Sequence, residues 1–544
     1  MNYELRITNY ELRITNFVSH LSFITYHLVM TPELRKQIYA LMIFLSAGLM
    51  FGRIIAVDNE FDKAASRLKW QQIESRVRER EAEEKKNGVT GKRLEEILDA
   101  TRQKLQAEAL RLQRPYLSAN DRSRWCTVRA LVEPDMRVKD ENGNVIWFAI
   151  DNVQNLPGWD TIDMVKHPLP PSDPDAPAYL FSSKPPLLPI LMAAPYYVIY
   201  NASGGKISFA SDPYLVVRTM LVIVNLIPVL FCWFRMSHLI DRFAATDWSR
   251  LFLMAFVCFG TFVSTFVVTL NNHLPGICCV IISMYAAVQI LFEGKRSIGY
   301  FLTAGFFAAL LPACELPGLA YTFLLPAALA MVSWRRTLLG YVPAMALVLA
   351  VFLQTNYIGH QTYSLAYGNP DWYIYKYERG GRERESHWTN RIGIDKGEPS
   401  KMTYAFHTSA GHHGIFSLTP LWVLSFFGLA AWMFQRGDKR LFYAALFILS
   451  LSLIVYVFYL NRPQGDRNYG GMTSGLRWMF WFIPMWIMAM TPTVNRLSQS
   501  RLGRALCLLF LFFSALSVAY PLWNPWDHPW LYHFLRYCGW KVIG

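Results

Sequence analysis

The sequence predicts an all-α integral membrane protein of about eleven transmembrane helices, with a large extracytoplasmic loop between the first two. Three observations predict it. Of 544 residues, 53% are hydrophobic and only 17% are charged, against about 25% charged in a typical soluble protein. Apolar runs of about 17–22 residues recur along the chain, the length a helix needs to cross a bilayer. Basic residues gather in alternate short loops, as the positive-inside rule requires. The formal charge of +14 therefore follows from membrane topology, and nucleic-acid binding is excluded as a function.

Residues 1–29 are set aside. Asn2–Thr8 repeats at once as Asn9–Thr15, and the segment reads as translated upstream DNA with Met30 as the true start. The first span, 38–57, ends the unit 30–57. The remaining expected spans are 214–234, 251–269, 275–292, 298–313, 317–333, 337–355, 415–434, 441–460, 479–494 and 505–522. They form a block 214–355, an outer loop 356–414, a second block 415–522 and an aromatic tail 523–544, with a further outer loop at 461–478.

Loop charge tests this order. With a cytoplasmic N-terminus, the inner loops contain Arg35 and Lys36; Arg235, Arg242 and Arg250; Lys295 and Arg296; Arg335 and Arg336; Arg436, Lys439 and Arg440; Arg496, Arg501 and Arg504. The short outer turns Leu270–Leu274 and Cys314–Leu316 contain no Lys or Arg. The C-terminus is then outside, where Trp523, Trp526, Trp530 and Tyr532 suit an interfacial anchor. The expected location is a plasma membrane, the bacterial inner membrane, as part of the cell envelope.

The first outer loop, 58–213, has two parts. Residues 60–113 are highly charged, with Leu68, Ile73 and Val77 in one half and Leu94, Ile97, Leu98 and Leu105 in the other, broken by Asn87–Gly91. They read as a helical hairpin, a short antiparallel coiled coil. Residues 115–190 are the candidate catalytic region. Cys232, Cys258, Cys278, Cys279 and Cys507 fall in apolar runs as small core residues. A Cys126–Cys538 disulfide is open but has no positive support, and no metal-ligand spacing such as Cys-x-x-Cys occurs.

Ser118-Ala-Asn120-Asp121 reads as a helix start, with Asn120 or Ser118 capping. Asp121 is then either a general base on an acceptor hydroxyl or a plain N-terminal capping acid. In Tyr179-Leu-Phe-Ser-Ser-Lys184-Pro185-Pro186-Leu187, the prolines fix the backbone and hold Lys184 at the start of an apolar helix, Leu187 to Tyr200. Lys184 there binds a lipid phosphate or snorkels at the interface.

Four features resemble the GT-C membrane glycosyltransferases, most closely their protein O-mannosyltransferase and aminoarabinose-transferase branch. They are Asp121 after span one, the Tyr-x-x-Ser-Ser-Lys-Pro-Pro-Leu run, Arg218 at the outer start of span two, and the short outer turn between spans three and four. The resemblance covers residues 115–340 well and the later spans loosely. It implies transfer of a sugar from a polyprenyl-phosphate donor at the outer membrane face. Asp121 then matches the catalytic acid and Lys184 the lysine on the donor phosphate, with Arg218 or Arg477 assisting. Two departures stand out. The turn Leu270-Asn271-Asn272-His273-Leu274 lacks the acid many members have there, which speaks against metal-dependent chemistry, and the hairpin 60–113 is an insertion.

Further candidates face the same side. Glu315 is an ionisable group at the outer end of a span pair, and reads as functional or as half of a structural pair. Asn272, His273 and His413 can hydrogen-bond a sugar or phosphate. Arg477, after a glycine-rich loop, is either a phosphate clamp or an interfacial Arg–Trp anchor. Asp160 and Asp163 are reserves for the base. No cofactor and no metal ligand set are assigned, and dependence on a divalent metal stays open. The expected partners are the polyprenyl-phosphate sugar, membrane lipids and a protein, lipid or glycan acceptor. The competing readings are a transporter or lipid flippase, and an inactive GT-C-like scaffold.

Overall fold

The first apolar run becomes helix α1 (Pro32–Ile55), started by Thr31, whose hydroxyl accepts the Leu34 amide at 3.2 Å. Pro32 occupies the first helical position, where a missing amide costs nothing. The structure, a computed structural model, describes residues 30–57, 63–110, 115–521, 524–540 and 542. The proposed upstream extension 1–29 and the anchor residue Trp523 lie outside the described residues. The charged segment forms two helices, α2 (Lys63–Lys86) and α3 (Lys92–Leu110), turned at Asn87–Gly91 as expected. Val77 and Leu94 are buried in their interface, and Arg102 bonds Glu74 across it.

The protein is mostly helical, and among the described residues seven helical stretches are long and apolar enough to cross a membrane. They are α1, α6 (Pro213–Phe243), α7 (Asp247–Phe266), α8 (His273–Leu291), the stretch Leu316–His360, α14 (Lys439–Leu460) and α16 (Arg501–Ala519). Shorter apolar helices are α5 (Leu187–Ala202), α9 (Ile298–Cys314) and the stretch Pro420–Phe434, which ends in α13 (Val423–Phe434). Their outward faces are apolar: Leu41, Phe44, Leu45 and Leu49 of α1 are all more than half exposed. So many large exposed apolar groups are unfavourable in water and are what lipid contact requires.

The stretch Leu316–His360 has 45 residues. As one straight helix it would measure about 68 Å, over twice a hydrocarbon core of about 30 Å. It is instead a hairpin of α10 (Leu319–Arg336) and α11 (Val342–His360). Ser333 leaves helical geometry at φ −160° and ψ 88°. The Tyr341 hydroxyl then donates to the Thr322 carbonyl at 2.6 Å, a contact possible only if the chain turns back. The turn falls between the two apolar runs 317–333 and 337–355. Gly305 of α9 lies so close to Tyr341 that a β-carbon there would strike its carbonyl.

The helical bundle has two chemically distinct ends. At one, Arg35 bonds Asp241 at 3.0 Å and Asp247 at 2.9 Å, Arg242 pairs with Glu293, and Arg440 reaches the Leu291 carbonyl at 3.2 Å. These are the loops that charge placed together on one side. At the other end gather residues 115–190, the turns at 270–272 and 315, residues 361–414, 461–478 and the tail.

All eight cysteines are free, with Cys126 buried and Cys538 exposed, so the open Cys126–Cys538 pairing is not formed. The two small sheets are antiparallel hairpins: β1 (Met164–Pro168) with β2 (Ala178–Ser182), and β3 (Lys376–Arg379) with β4 (Arg382–Glu385).

Candidate functional site

Helix α4 (Ala119–Val132) is the floor of the site, and almost every side chain on it is buried. Its start combines two local bonds. Ser118 accepts the Asp121 amide at 3.1 Å, and Asp121 Oδ2 accepts the Leu117 amide at 3.0 Å. This is a relative of the capping box, in which the third residue reaches back over the cap. Asp121 Oδ1 takes a second donor, the Leu270 amide at 2.9 Å. The carboxylate thus pins α4 to the turn before α8.

The β1–β2 hairpin builds the next wall. Its register sets Met164 opposite Ser182, so Asp163 and Ser183 face each other and the Ser183 amide donates to the Asp163 carbonyl at 3.1 Å. One residue on, Lys184 Nζ reaches Asp163 Oδ1 at 3.1 Å. Pro186 then starts α5 directly, as the Pro-Pro pair predicts. Ser123 Oγ ties α4 to this hairpin through the Asp163 carbonyl at 2.5 Å and Ser182 Oγ at 2.6 Å.

A relay of side chains closes the site. Arg124 donates to Asn272 Oδ1 at 2.6 Å, and Asn272 Nδ2 donates to Glu315 Oε1 at 2.7 Å. His273 Nδ1 bonds the same Glu315 oxygen, and its Nε2 meets Arg477 Nη1 at 2.8 Å. Arginine only donates, so His273 accepts at Nε2 and carries its proton on Nδ1, facing Glu315. Arg477 is fixed from behind by the Gly470 carbonyl, at 3.0 Å and 2.6 Å, and lies 4.8 Å from the Trp526 ring. Glu315, from the neighbouring turn, is the acid that meets the 270–274 turn.

These groups, His273 excepted, line a cavity of about 1660 Å³. Its wall includes Arg124, Asp163, Lys184, Asn272, Glu315 and Arg477. Arg124 is 3%, Glu315 4% and Arg477 8% exposed. Further out, the wall is aromatic and mixed in charge, with Tyr367, Tyr373, Trp388, Tyr459 and Trp478, and with Arg391, Arg462 and Arg536 beside Asp395, Asp466 and Asp527.

Electrostatics separate the carboxylates. Burial pushes Glu315 up to about 8, against the pull of Arg477, Arg124 and the Asn272 bond. Its two hydrogen bonds both fall on Oε1, so a bound proton sits on Oε2. Burial alone would raise Asp163, but Lys184, with Arg477 and Arg124, holds it below the usual carboxylate range. Burial also raises Asp121, to about 7, despite its two amide donors. Burial lowers Arg477 to about 10, which leaves it cationic near neutrality.

The structure therefore brings together Lys184, Arg477, Asn272 and Glu315, with His273 directly behind them. It does not bring the others. Asp121 does not line the cavity, and both its oxygens are engaged by amides. Arg218 donates to the Val57 carbonyl at 3.2 Å and 2.7 Å, closing the end of α1, and does not line the cavity. Asp160 lies outside the wall, 3.4 Å from Arg379. His413 is buried against Tyr469, ring centroids 4.7 Å apart. Two members were not singled out as site residues or only as a reserve. Arg124 follows Asp121 in the sequence Asp121-Arg122-Ser123-Arg124 without a partner to mark it, and Asp163 needed the hairpin register to meet Lys184. Compared with known proteins, the chain matches no family model and no curated sequence.

Proposed function

We propose that this protein is a membrane glycosyltransferase that moves a sugar from a polyprenyl-phosphate donor to an acceptor at the extracytoplasmic face. One observation carries the reading: three largely buried cations, Arg124, Lys184 and Arg477, converge on two carboxylates, Asp163 and Glu315, in one large cavity at an end of the helical bundle. Retained charge at such depth is costly and marks a binding or catalytic site. A cluster of ammonium and guanidinium donors is the chemistry that recognises phosphate.

In the proposed step, the acceptor oxygen attacks the anomeric carbon and the bond from that carbon to the phosphate oxygen breaks. The electron pair leaves with the phosphate, where Lys184, Arg477 and Arg124 stabilise it. The acceptor proton passes to Glu315 Oε2. A single direct displacement inverts the anomeric centre. His273 orients Glu315, and Asp121 acts as an anchor of α4 instead of the base. The accompanying topology is eleven crossings, the short apolar helices included, with the N-terminus cytoplasmic, the C-terminus outside and residues 58–213 forming the outer loop in a bacterial inner membrane.

The test is protein in nanodiscs with a panel of radiolabelled polyprenyl-phosphate sugars. Binding and slow hydrolysis of one donor, abolished in Glu315→Gln and Lys184→Ala, supports the reading. No binding to any donor returns the transporter or scaffold reading.

A further inference from the structure

A second cluster of groups takes no part in the reaction proposed above. Glu398, His407 of α12 (Lys401–Ser409) and His412 of the following turn each offer a ligand atom, and the three atoms lie within 4.8 Å of one another. Glu398 and His412 are buried and His407 is half-buried. None of the three lines the large cavity.

The hydrogen bonding around them is incomplete in a telling way. Nδ1 of His407 and Nε2 of His412 are enclosed and have no hydrogen-bond partner. Buried polar atoms are almost always partnered, so two orphaned imidazole nitrogens beside a carboxylate point to a ligand. The geometry also accommodates the ligand form of His412. Its Nδ1 meets His413 Nδ1 at 2.5 Å. When His412 donates there, the tautomer leaves a bare lone pair on Nε2, and His413 serves as the orienting partner metal-bound histidines use. Glu398 Oε1 takes the Tyr469 hydroxyl at 2.7 Å, which orients that carboxylate in turn. A β-carbon at Gly411 would strike His407 Nδ1, so the close approach of this turn depends on glycine.

We propose that Glu398, His407 and His412 hold a divalent first-row transition metal, zinc in preference, as a structural site outside the cavity. Two imidazoles and one carboxylate are a zinc ligand set, whereas calcium and magnesium favour all-oxygen shells. Zinc bonds of about 2.0–2.2 Å need ligand atoms roughly 3.3–3.5 Å apart, so each edge of the triangle closes by at most about 1.5 Å as the ion binds, and the His407 and His412 rings, stacked with centroids 3.9 Å apart, turn away from each other to face it. The ion braces a specific loop. The Glu398 amide donates to the Arg467 carbonyl at 2.9 Å, and Arg467 Nε returns a bond to the Glu398 carbonyl at 2.8 Å. Tyr469 and Gly470 follow, and the Gly470 carbonyl holds Arg477. The ion thereby stiffens the backing of the cavity wall, whatever that cavity binds.

The experiment uses the full chain in nanodiscs, stripped with a chelator, incubated with zinc chloride, desalted and assayed for metal by mass spectrometry. The expected result is about one zinc per chain, falling below about 0.1 in His407→Ala and in His412→Ala. Chelation lowers the Tm of the wild type and leaves that of the variants unmoved. Cobalt loading gives visible d–d bands, and His412→Cys retains the ion and adds a thiolate charge-transfer band, a readout independent of whether the alanine variants fold. Substoichiometric zinc in the wild type, or full zinc in both alanine variants, overturns the proposal.

Discussion

At one end of the bundle Arg35, Asp241, Asp247 and Arg250 form ion pairs between helix ends, with Asp241 and Asp247 side chains 25% and 31% exposed. At the other end Arg124, Glu315 and Arg477 sit in a cavity wall at 8% exposure or less. The first set is paired charge to charge in water's reach, where each pair contributes about 0–1 kcal/mol. The second is linked through neutral side chains, Asn272 and His273, so its charges are held near one another without being cancelled. Charge at the first end answers to topology. In the proposed function, charge at the second is kept available for a ligand, and substitutions separate the two.

The largest expected effect is at Glu315. A positioned general base contributes about 10²–10⁴-fold, so Glu315→Gln should lower turnover by that range while donor binding persists. Turnover by the wild type should rise with pH through about 8, because the base must lose its proton and burial places that loss near 8. A pH–rate profile checks this; the rising limb should vanish in Glu315→Gln.

Next is Lys184. Removing a charged phosphate donor costs about 1.5–3 kcal/mol, so Lys184→Ala should weaken donor binding about 10- to 100-fold. Asp163, released from its partner, should titrate nearer the ordinary range.

Asp121→Asn sharpens the contrast within one end. An amide cannot accept on both sides, so one of the Leu117 and Leu270 amides loses its partner, at about 1–3 kcal/mol of stability. Thermal unfolding should show this loss, with turnover per folded molecule retained. Loss of turnover without loss of stability would restore Asp121 as the base.

The smallest effect belongs to the opposite end. Arg35→Ala should cost about 1 kcal/mol or less and leave donor binding unchanged.

Much of the architecture is legible in the sequence because the bilayer demands long apolar runs and sorts basic loops by side. The α10–α11 hairpin was readable from Arg335 and Arg336 between two such runs, and the turn at Asn87–Gly91 from its glycines. The site was only half legible. Lys184 and Arg477 were marked by rigid or glycine-rich neighbours. Asp163 was not, since its pairing depends on the β1–β2 register, and a cation at a helix start gives no sign that Arg218 will bond the end of α1. Asp121 shows the same limit: capping acid and general base share one pattern, and its bond to the Leu270 amide, far away in sequence, was not legible.

The most direct test of the account is equilibrium binding of radiolabelled polyprenyl phosphate, without sugar, to the protein in nanodiscs. The account predicts saturable binding by the wild type and Arg35→Ala, weakened about 10- to 100-fold in Lys184→Ala and Arg477→Ala. Absence of saturable binding, or equal affinity in all four proteins, would contradict the assignment of the cavity to a phosphate-bearing lipid.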